Sequence, residues 1–294
     1  MRALRMSRAK HPGRQRIVSL APSATSILVA LGAKRQLVGV TKWCADVANV
    51  GRLPRLGDCW SLDPARVLAL KPTLVIGSIP YKEETVGKLL ASPLTFLAMN
   101  PRTLADIESD ILLLGRIVGR VRAAETLVAK MRRTFEEIKK RSARWRGPDA
   151  ASGRVYCEAW PHPRISSPPW VAELVRIAGG EMVVPAGQRV SESEVARARP
   201  EVIVIAWAAT GSRPRVEETL ALPAWKDVPA IRNRRVYVVR DELLNTPGPP
   251  LMHGARELFR ILHPRKRLPA ARGFFAPDGS AGRDFRVPDG LAGR

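Results

Sequence analysis

Five of the chain's seven tryptophans follow predicted strands or lie in the loops beside them. These five residues are Trp43, Trp60, Trp160, Trp170 and Trp207. Flat aromatic side chains at strand ends can line a cleft for a wide, largely apolar ligand, because each supplies a large contact area. One such residue could equally well pack within its own domain, but five of them favour a ligand-binding cleft. Trp145 and Trp225 are predicted to be packing residues instead.

Polar and sulfur-containing side chains extend this candidate site. The candidate ligand-binding set is completed by Ser23, Cys44, Tyr81 and Asn245. Three cysteines and one histidine could also cluster at the mouth of the cleft, where thiolate and imidazole groups suit a soft metal ion. They are Cys44, Cys59, Cys157 and His162. No CxxC or HxxxH spacing supports a metal site, and an unpaired cysteine is often a small core residue.

His162 and His253 are predicted to have different places in the molecule. His162 could serve as an axial ligand to cobalt or iron, since it follows a predicted strand and a tryptophan. His253 is expected on the last helix.

The sequence does not support an enzymatic function. Ser23 follows Pro22 at a predicted strand-to-helix turn, a place where some hydrolases hold a nucleophile. The GxSxG pattern is absent, and no histidine or acid pair is placed to activate the hydroxyl. Glycine-rich phosphate loops are absent as well. Ser23 is therefore predicted to cap a helix, and the chain is predicted to be a binding protein.

Strands and helices alternate along the chain, which predicts parallel sheets covered on both faces. In the first part, predicted strands begin near residues 16, 37, 74 and 94, and predicted helices cover 23–31, 64–70 and 83–90. In the second part, predicted strands cover 155–157, 202–207 and 235–239, and predicted helices cover 171–178 and 254–262. Gly32 is the expected C′ residue of the first helix.

Segment 103–146 differs from the rest because its apolar residues keep a helical period over its whole length. It contains no proline, and its only glycines are Gly115 and Gly119. The sequence therefore predicts one long α-helix here, connecting the two αβ regions.

The two regions also resemble each other. Residues 66–77 and 195–206 both consist of a short helix, a basic residue followed by proline, and a buried strand. Pro72 and Pro200 end the helix, because a residue before proline is disfavoured in α geometry. The predicted fold is α/β: two Rossmann-like lobes joined by one long helix, with a ligand cleft between them at the carboxyl ends of the strands.

Five segments follow from this division. The expected boundaries are a basic tail at 1–16, a first lobe at 17–102, the connecting helix at 103–146, a second lobe at 147–263 and a basic tail at 264–294. Both tails are predicted to be disordered.

The net charge of +22 favours non-specific binding to polyanions. No RNP, zinc-finger or homeodomain pattern is present, so a specific nucleic-acid partner is not predicted.

Six stretches in this order resemble the vitamin B12 and ferric-siderophore binding-protein family, over about residues 16–263. They are SLAPSATSILVALGA (19–33), VGVTKWC (38–44), LALKPTLVIG (68–77), WVAELVRIAGG (170–180), RPEVIV (199–204) and NTPGPP (245–250). The resemblance implies a monomeric receptor that delivers B12, haem or a ferric chelate to an ABC importer, with no resident cofactor. Cobalamin is the favoured ligand, because CEAWPHP (157–163) followed by Trp170 resembles the cobalamin-binding branch.

The chain departs from this family in the importer-docking acids. Members that dock an importer commonly carry a surface glutamate in each lobe, and the matching positions here are Ala65 and Asn245 or a neighbour. Asp63 and Glu242 are nearby acids but do not fall in register. The resemblance therefore implies a possible importer partner without its usual charge pairs.

Location is predicted from the first residues and the cysteines. Residues 1–16 carry six Arg or Lys and no apolar stretch of a secretory signal. Three cysteines imply no disulfide framework, and no apolar run is long enough to span a bilayer. A cytoplasmic protein that serves no standard importer is expected, or a periplasmic one if the start is misassigned. The alternative function is a cytoplasmic metal- or cofactor-handling chaperone, or an enzyme, acting on the same ligand.

Overall fold

A computed structural model describes residues 15–57, 62–78, 83–144, 153–208 and 217–264. The first lobe contains β1 (Ile17–Ser19), α1 (Pro22–Ala30), β2 (Leu37–Val40), α2 (Cys44–Val47), α3 (Pro64–Ala69), β3 (Leu74–Ser78), α4 (Glu83–Leu90) and β4 (Phe96–Met99). Its four strands are parallel, in the order β2-β1-β3-β4. All five residues of β3 are buried, as expected of a strand covered on both faces.

The second lobe repeats this plan with one antiparallel addition. It contains β5 (Arg154–Pro161), β6 (Arg164–Ser166), α7 (Pro169–Ile177), β7 (Glu181–Met182), α8 (Glu192–Ala198), β8 (Val202–Ile205), α9 (Glu217–Leu220), α10 (Pro229–Arg232), β9 (Val236–Val238), α11 (Glu242–Asn245) and α12 (Leu251–Leu262). Strands β5, β7, β8 and β9 are parallel, and β6 pairs antiparallel with the end of β5. The two-lobed α/β prediction is confirmed.

The prediction of one helix over 103–146 is wrong, because the segment forms two helices. These are α5 (Leu104–Ile117) and α6 (Val121–Ala143), separated by a turn at Gly119 with φ of +69°. Arg132 of α6 lies 2.6 Å from Glu108 of α5, so the chain reverses at the turn. A Cβ atom on Gly115 would lie 2.4 Å from the Cβ of Ala124, which explains why glycine is needed where the helices meet.

Helix α6 alone therefore connects the two lobes. Its 23 residues contain neither proline nor glycine, and they span about 35 Å at the usual helical rise. A continuous hydrophobic cluster runs from the first sheet through α5 and α6 to α7, α12 and one face of the second sheet. Two separate clusters cover the other face of each sheet. The shared cluster ties both lobes to the same helical layer.

Two helix-end predictions have different outcomes. Ser23 does not cap α1: Ala21 is the N-cap residue, without a side-chain hydrogen bond, and Pro22 occupies the first helical position. Proline serves there because its missing N–H would be unpaired anyway. Gly32 follows the C-cap with φ of +72°, so its prediction as the C′ residue is confirmed.

The predicted segment boundaries overlap only partly with the described residues. Most of both tails, 1–16 and 264–294, and most of the connection at 147–153 lie outside them. None of the described helices combines the length and the apolar character needed to cross a lipid bilayer.

Candidate ligand-binding cleft

The carboxyl ends of the two sheets face each other. Asp46 in α2, which follows β2, lies in the electrostatic field of Arg240, which follows β9. Gly248, ahead of α12, packs against α1: a Cβ atom on it would lie 3.1 Å from the Ser26 hydroxyl oxygen and 3.7 Å from the Ser23 carbonyl oxygen. Open α/β sheets bind ligands beyond the carboxyl ends of their strands, so the candidate cleft opens at this edge.

Three hydroxyl groups and one thiol brace the first-lobe side of the cleft. Thr25 Oγ1 lies 2.8 Å from Ser19 Oγ and 3.0 Å from Cys44 Sγ, and Thr41 Oγ1 lies 3.1 Å from the same sulfur. We call these four residues the hydroxyl–thiol network. Burial raises the pKa of the Cys44 thiol. Cys44 is fully buried, so it supports the loop after β2 from behind and does not lie on the cleft wall.

Trp43 is the aromatic residue that the first lobe places at the end of β2. It is half-buried at the N-cap of α2, and Lys42 Nζ lies 4.7 Å from the centre of its ring. This cation–π contact holds the ring with one side against a positive charge. Ser23, by contrast, is only 3 % exposed, so its hydroxyl is not on the open surface.

Trp160 is the exposed aromatic residue of the second lobe. It lies on the hairpin of β5 and β6, is 40 % exposed, and its Nε1 donates to the carbonyl oxygen of His162 at 3.0 Å. His162 is itself exposed in the turn of this hairpin. The hairpin therefore carries an exposed tryptophan and an exposed histidine two residues apart at the carboxyl end of β5.

A buried carboxylate holds this side of the cleft together. Glu158 is fully buried and accepts hydrogen bonds from Tyr156 Oη at 2.6 Å, Arg164 at 2.8 Å and Trp207 Nε1 at 2.8 Å. Arg164 also stacks over the ring of Trp225 at 4.7 Å. We call these five residues the Glu158 network. Burial, and then the neighbouring negative charge of Glu158, raise the pKa of Tyr156, which remains a hydrogen-bond donor.

The sequence interpretation missed Glu158 and Arg164, although a signal was available. An acid inside the apolar strand β5 is unusual, because buried acids require a charged or hydrogen-bonding partner. Its partner could not be chosen from the sequence, since β6 is only three residues long and had not been predicted.

Three predicted ligand residues of the second lobe point toward other protein groups. Trp170 is 3 % exposed and donates to the Leu244 carbonyl oxygen at 2.9 Å. Trp207 is 8 % exposed and binds Glu158. Asn245 is half-buried and its Nδ2 donates to the Ala206 carbonyl oxygen at 2.6 Å. They stabilise the loops behind the cleft. Trp225 is fully buried, as predicted.

The predicted cysteine–histidine cluster does not form among the described residues. Cys44 and Cys157 are fully buried in different lobes, and burial raises the pKa of Cys157 to about 12. His162 is exposed on the hairpin. No group of three His, Cys, Asp or Glu side chains in the described part of the chain is placed to hold a metal ion. Cys59, Trp60, Tyr81 and Trp145 lie outside the described residues.

Charged groups meet where the lobes approach each other. Burial raises the pKa of Asp46, and Arg240 and Arg55 partly oppose this rise. Burial also raises the pKa of Glu242, whose carboxylate lies 3.7 Å from Arg240. His253 lies on α12 as predicted, and burial together with nearby Arg and Lys charges lowers its pKa. Acidic and basic side chains from both lobes thus influence each other at this edge of the sheets.

The chain was compared with known proteins. Residues 17–243 match the family model described as periplasmic binding protein. An ABC transporter substrate-binding lipoprotein of uncharacterised function from Bacillus subtilis is 25 % identical over 261 residues, covering 85 % of this chain and 80 % of that protein. A vitamin B12-binding protein from Pectobacterium carotovorum is 26 % identical over 254 residues, covering 83 % of this chain and 87 % of that protein.

A similar solved structure is a periplasmic heme-binding protein from Pseudomonas aeruginosa. It superposes with a TM-score of 0.74 at 24 % identity, covering 85 % of this chain and 93 % of that one. This likeness shows the two-lobed fold. The family model confirms the resemblance noted in the sequence.

The expectation of a cytoplasmic location is wrong. The matching family and the lipoprotein relative are extracytoplasmic substrate-binding proteins, so the chain is placed with proteins that work outside the cytoplasm. The basic first residues, on which the expectation depended, lie outside the described structure. Because the family model covers most of the chain, from β1 into α11, the protein belongs to the periplasmic binding protein family.

Proposed function

We propose that this protein is a receptor that binds a bulky corrinoid or related metal chelate in the cleft between its lobes and serves an ABC importer. Cobalamin is the first candidate. The observation that carries the proposal is the pair Trp43 and Trp160, which lie at the carboxyl ends of strands in opposite lobes and keep part of their rings accessible. Two flat rings on facing walls fit a ligand that is wide and largely apolar.

The remaining predicted residues have supporting roles in this proposal. Cys44 and Ser23 fix the turns after β2 and β1 from the buried side, and Trp170, Trp207 and Asn245 fix the loops of the second lobe. Trp60 and Tyr81 remain predicted contact residues. Rigid supporting residues matter because a site that is already in place loses less conformational entropy on binding.

Haem is the second candidate, and a specific feature favours it. His162 is exposed two residues after Trp160 on the same hairpin, where its imidazole could coordinate the iron of a ring stacked on the indole. Relatives of this chain include proteins named for B12 binding and structures named for heme binding. The two ligands share a flat macrocycle, so the same pair of tryptophans serves both.

Little movement of the lobes is expected when the ligand binds. Helix α6 has no proline or glycine to bend it, and both lobes share one hydrophobic cluster with it. Hinge proteins, by contrast, close through a few loop residues that absorb large changes in backbone angles. Solution scattering of the free and ligand-bound protein should therefore give nearly identical radii of gyration. A change as large as that of a hinge-closing receptor would contradict this part of the proposal.

The binding experiment uses cyanocobalamin, hemin and a ferric siderophore, each followed by quenching of tryptophan fluorescence and by calorimetry. We expect binding of cyanocobalamin with a Kd well below about 100 µM, and a loss of about tenfold or more in W43A and W160A. L113A, which removes an exposed apolar side chain from α5, is the control and should bind as the wild type does. Absence of binding to all three ligands at about 100 µM rejects the proposed function.

The haem alternative has its own readout. If haem is the ligand and His162 its axial ligand, hemin will bind with a shifted Soret band that is lost in H162A. Cobalamin binding without such a shift for hemin assigns the cleft to the corrinoid. A hemin spectrum unaffected by H162A would exclude coordination by this histidine.

A further inference from the structure

We propose that the second lobe carries a separate binding site for phosphate-bearing anions, at the end of its sheet opposite the cleft. The site is a cavity of about 500 Å³, whose lining includes Arg154, Arg197, Arg199, Glu201, Asn233 and Arg235. We call it the arginine cavity. Arg154 begins β5, Glu201 precedes β8 and Arg235 precedes β9, so the cavity lies at the amino ends of three parallel strands. The ligand cleft lies at their carboxyl ends.

Comparison with the first lobe shows one arginine contact that both lobes share. Arg16 precedes β1 and donates from its guanidinium to the carbonyl oxygens of Leu70 and Lys71, at the end of α3. Arg154 makes the equivalent contact, donating to the Ala198 carbonyl oxygen at the end of α8. One arginine per lobe therefore pairs the carbonyl groups at a helix end, a common use of basic side chains.

The other three arginines are matched to the first lobe by their positions. Strand pairing sets the correspondence, because Val75 pairs with Phe96 in the first lobe as Ile203 pairs with Val236 in the second. By this register Arg235 corresponds to Thr95. Alignment of the helix-ending prolines Pro72 and Pro200 then matches Arg197 to Ala69 and Arg199 to Lys71. Arg197 and Arg235 thus replace uncharged residues, and Arg235 also donates to the Ile261 carbonyl oxygen at the end of α12 at 3.5 Å.

Charge and size define the ligand class. Four guanidinium groups and one carboxylate line the cavity, which leaves a large positive excess. Each guanidinium presents several N–H donors in a planar fork that matches phosphate oxygens, and the Asn233 amide can add a further donor. The volume is within the range of small-molecule sites. A ligand with two or more phosphate charges, such as a diphosphate or a phosphate ester, fits these features.

Arg199 lines the cavity in a left-handed conformation with φ of +44°, which glycine adopts more readily than a residue with a Cβ atom. Lys71, at the matching position of the first lobe, has φ of +47°, so this conformation belongs to the fold that both lobes share.

Calorimetric titration of the full chain with pyrophosphate, without any cleft ligand, tests the proposal. We expect binding that weakens as sodium chloride is raised, because salt screens charge attraction. The double variant R197A/R199G should lose about tenfold or more in affinity, and glycine suits the left-handed position, so folding is preserved. The control R133A/K140A removes the same charge from the exposed face of α6 and should retain the wild-type affinity.

A second arm identifies the source of the phosphate. Vesicles of phosphatidylcholine with and without phosphatidylglycerol are sedimented with the protein. Sedimentation that requires phosphatidylglycerol, is displaced by pyrophosphate and is lost in R197A/R199G assigns the cavity to an acidic phospholipid headgroup. Pyrophosphate binding without sedimentation assigns it to a soluble phosphate compound. Pyrophosphate binding that is absent, or equal in the wild type, R197A/R199G and R133A/K140A, overturns the proposal whatever the cleft binds.

Discussion

The two lobes share one βαβ plan, but they brace their cleft loops with different chemistry. In the first lobe, the hydroxyl–thiol network of Ser19, Thr25, Thr41 and Cys44 contains no formal charge. In the second lobe, the Glu158 network depends on a fully buried ion pair. An uncharged network can lose one member at modest cost, whereas a buried charge deprived of its partner is expensive. The second lobe should therefore be the more sensitive to substitution.

The largest expected effect is that of E158A. Removing the carboxylate leaves the Arg164 guanidinium buried without its closest acid and deprives Tyr156 and Trp207 of an acceptor. We expect a loss of about 3–5 kcal/mol in the free energy of unfolding, measured by urea denaturation. The double variant E158M/R164M should recover much of this loss, because it removes both charges. A cost for E158A no larger than that of a surface substitution would show that the ion pair does not brace the lobe.

A smaller effect is expected for C44A in the first lobe. The substitution removes the sulfur that lies between Thr25 and Thr41 and leaves their hydroxyl groups with fewer partners in a buried site. The expected cost is about 1–2 kcal/mol in the same denaturation experiment. If C44A destabilised the protein as much as E158A, the contrast between an uncharged and a charged network would fail.

Asp110 on α5 sharpens the contrast, because it is a half-buried acid without the partners that Glu158 has. Its Oδ2 has no hydrogen-bond partner among the described residues, and burial together with the charge of Asp106 raises its pKa to about 6. Since the folded-state pKa lies above the unfolded value, the protein is stabilised at low pH and loses this stability as the pH rises through 6.

The corresponding measurement is the pH dependence of stability in D110N. After allowance for solvent screening of a half-buried group, we expect D110N to be more stable than the wild type by about 1 kcal/mol at neutral pH. The difference should shrink as the pH falls and disappear near pH 2.5, below the unfolded-state pKa, where the wild-type carboxyl is protonated in both states. An unchanged difference between these two pH values would refute the raised pKa.

The smallest expected effect is the same in both lobes, and it concerns two residues with left-handed backbone conformation. Lys71 and Arg199 both precede a proline and have φ of +47° and +44°, so both carry the same left-handed strain. K71G and R199G should each stabilise the protein by about 0.5–1 kcal/mol, because relief of strain exceeds the added flexibility of glycine in the unfolded chain. Thermal melts of the two variants should agree. If only one of the two variants were stabilised, the matching backbone angles would not carry equal strain energy in the two lobes.

Local sequence patterns predicted most of the fold, because they depend on neighbours along the chain. The alternation of buried strands with short helices gave both lobes, and the repeated proline after a basic residue placed β3 and β8. The break between α5 and α6 was missed because apolar residues keep their helical period across Gly119, so only the close packing of Gly115 against Ala124 reveals the reversal. Period alone cannot distinguish one helix from two antiparallel ones.

The orientation of the candidate site residues was decided by tertiary structure. Sequence placed Trp43, Trp160, Trp170 and Trp207 near strand ends, but Trp170 lies in the first turn of α7. Whether an indole faces the cleft or the interior depends on acceptors from distant segments, such as the Leu244 carbonyl for Trp170 and Glu158 for Trp207. The sequence by itself determined most strands and helices of the two lobes, since backbone preferences are local. The partners of buried polar groups were decided only when the chain closed on itself, because those contacts join residues far apart in sequence.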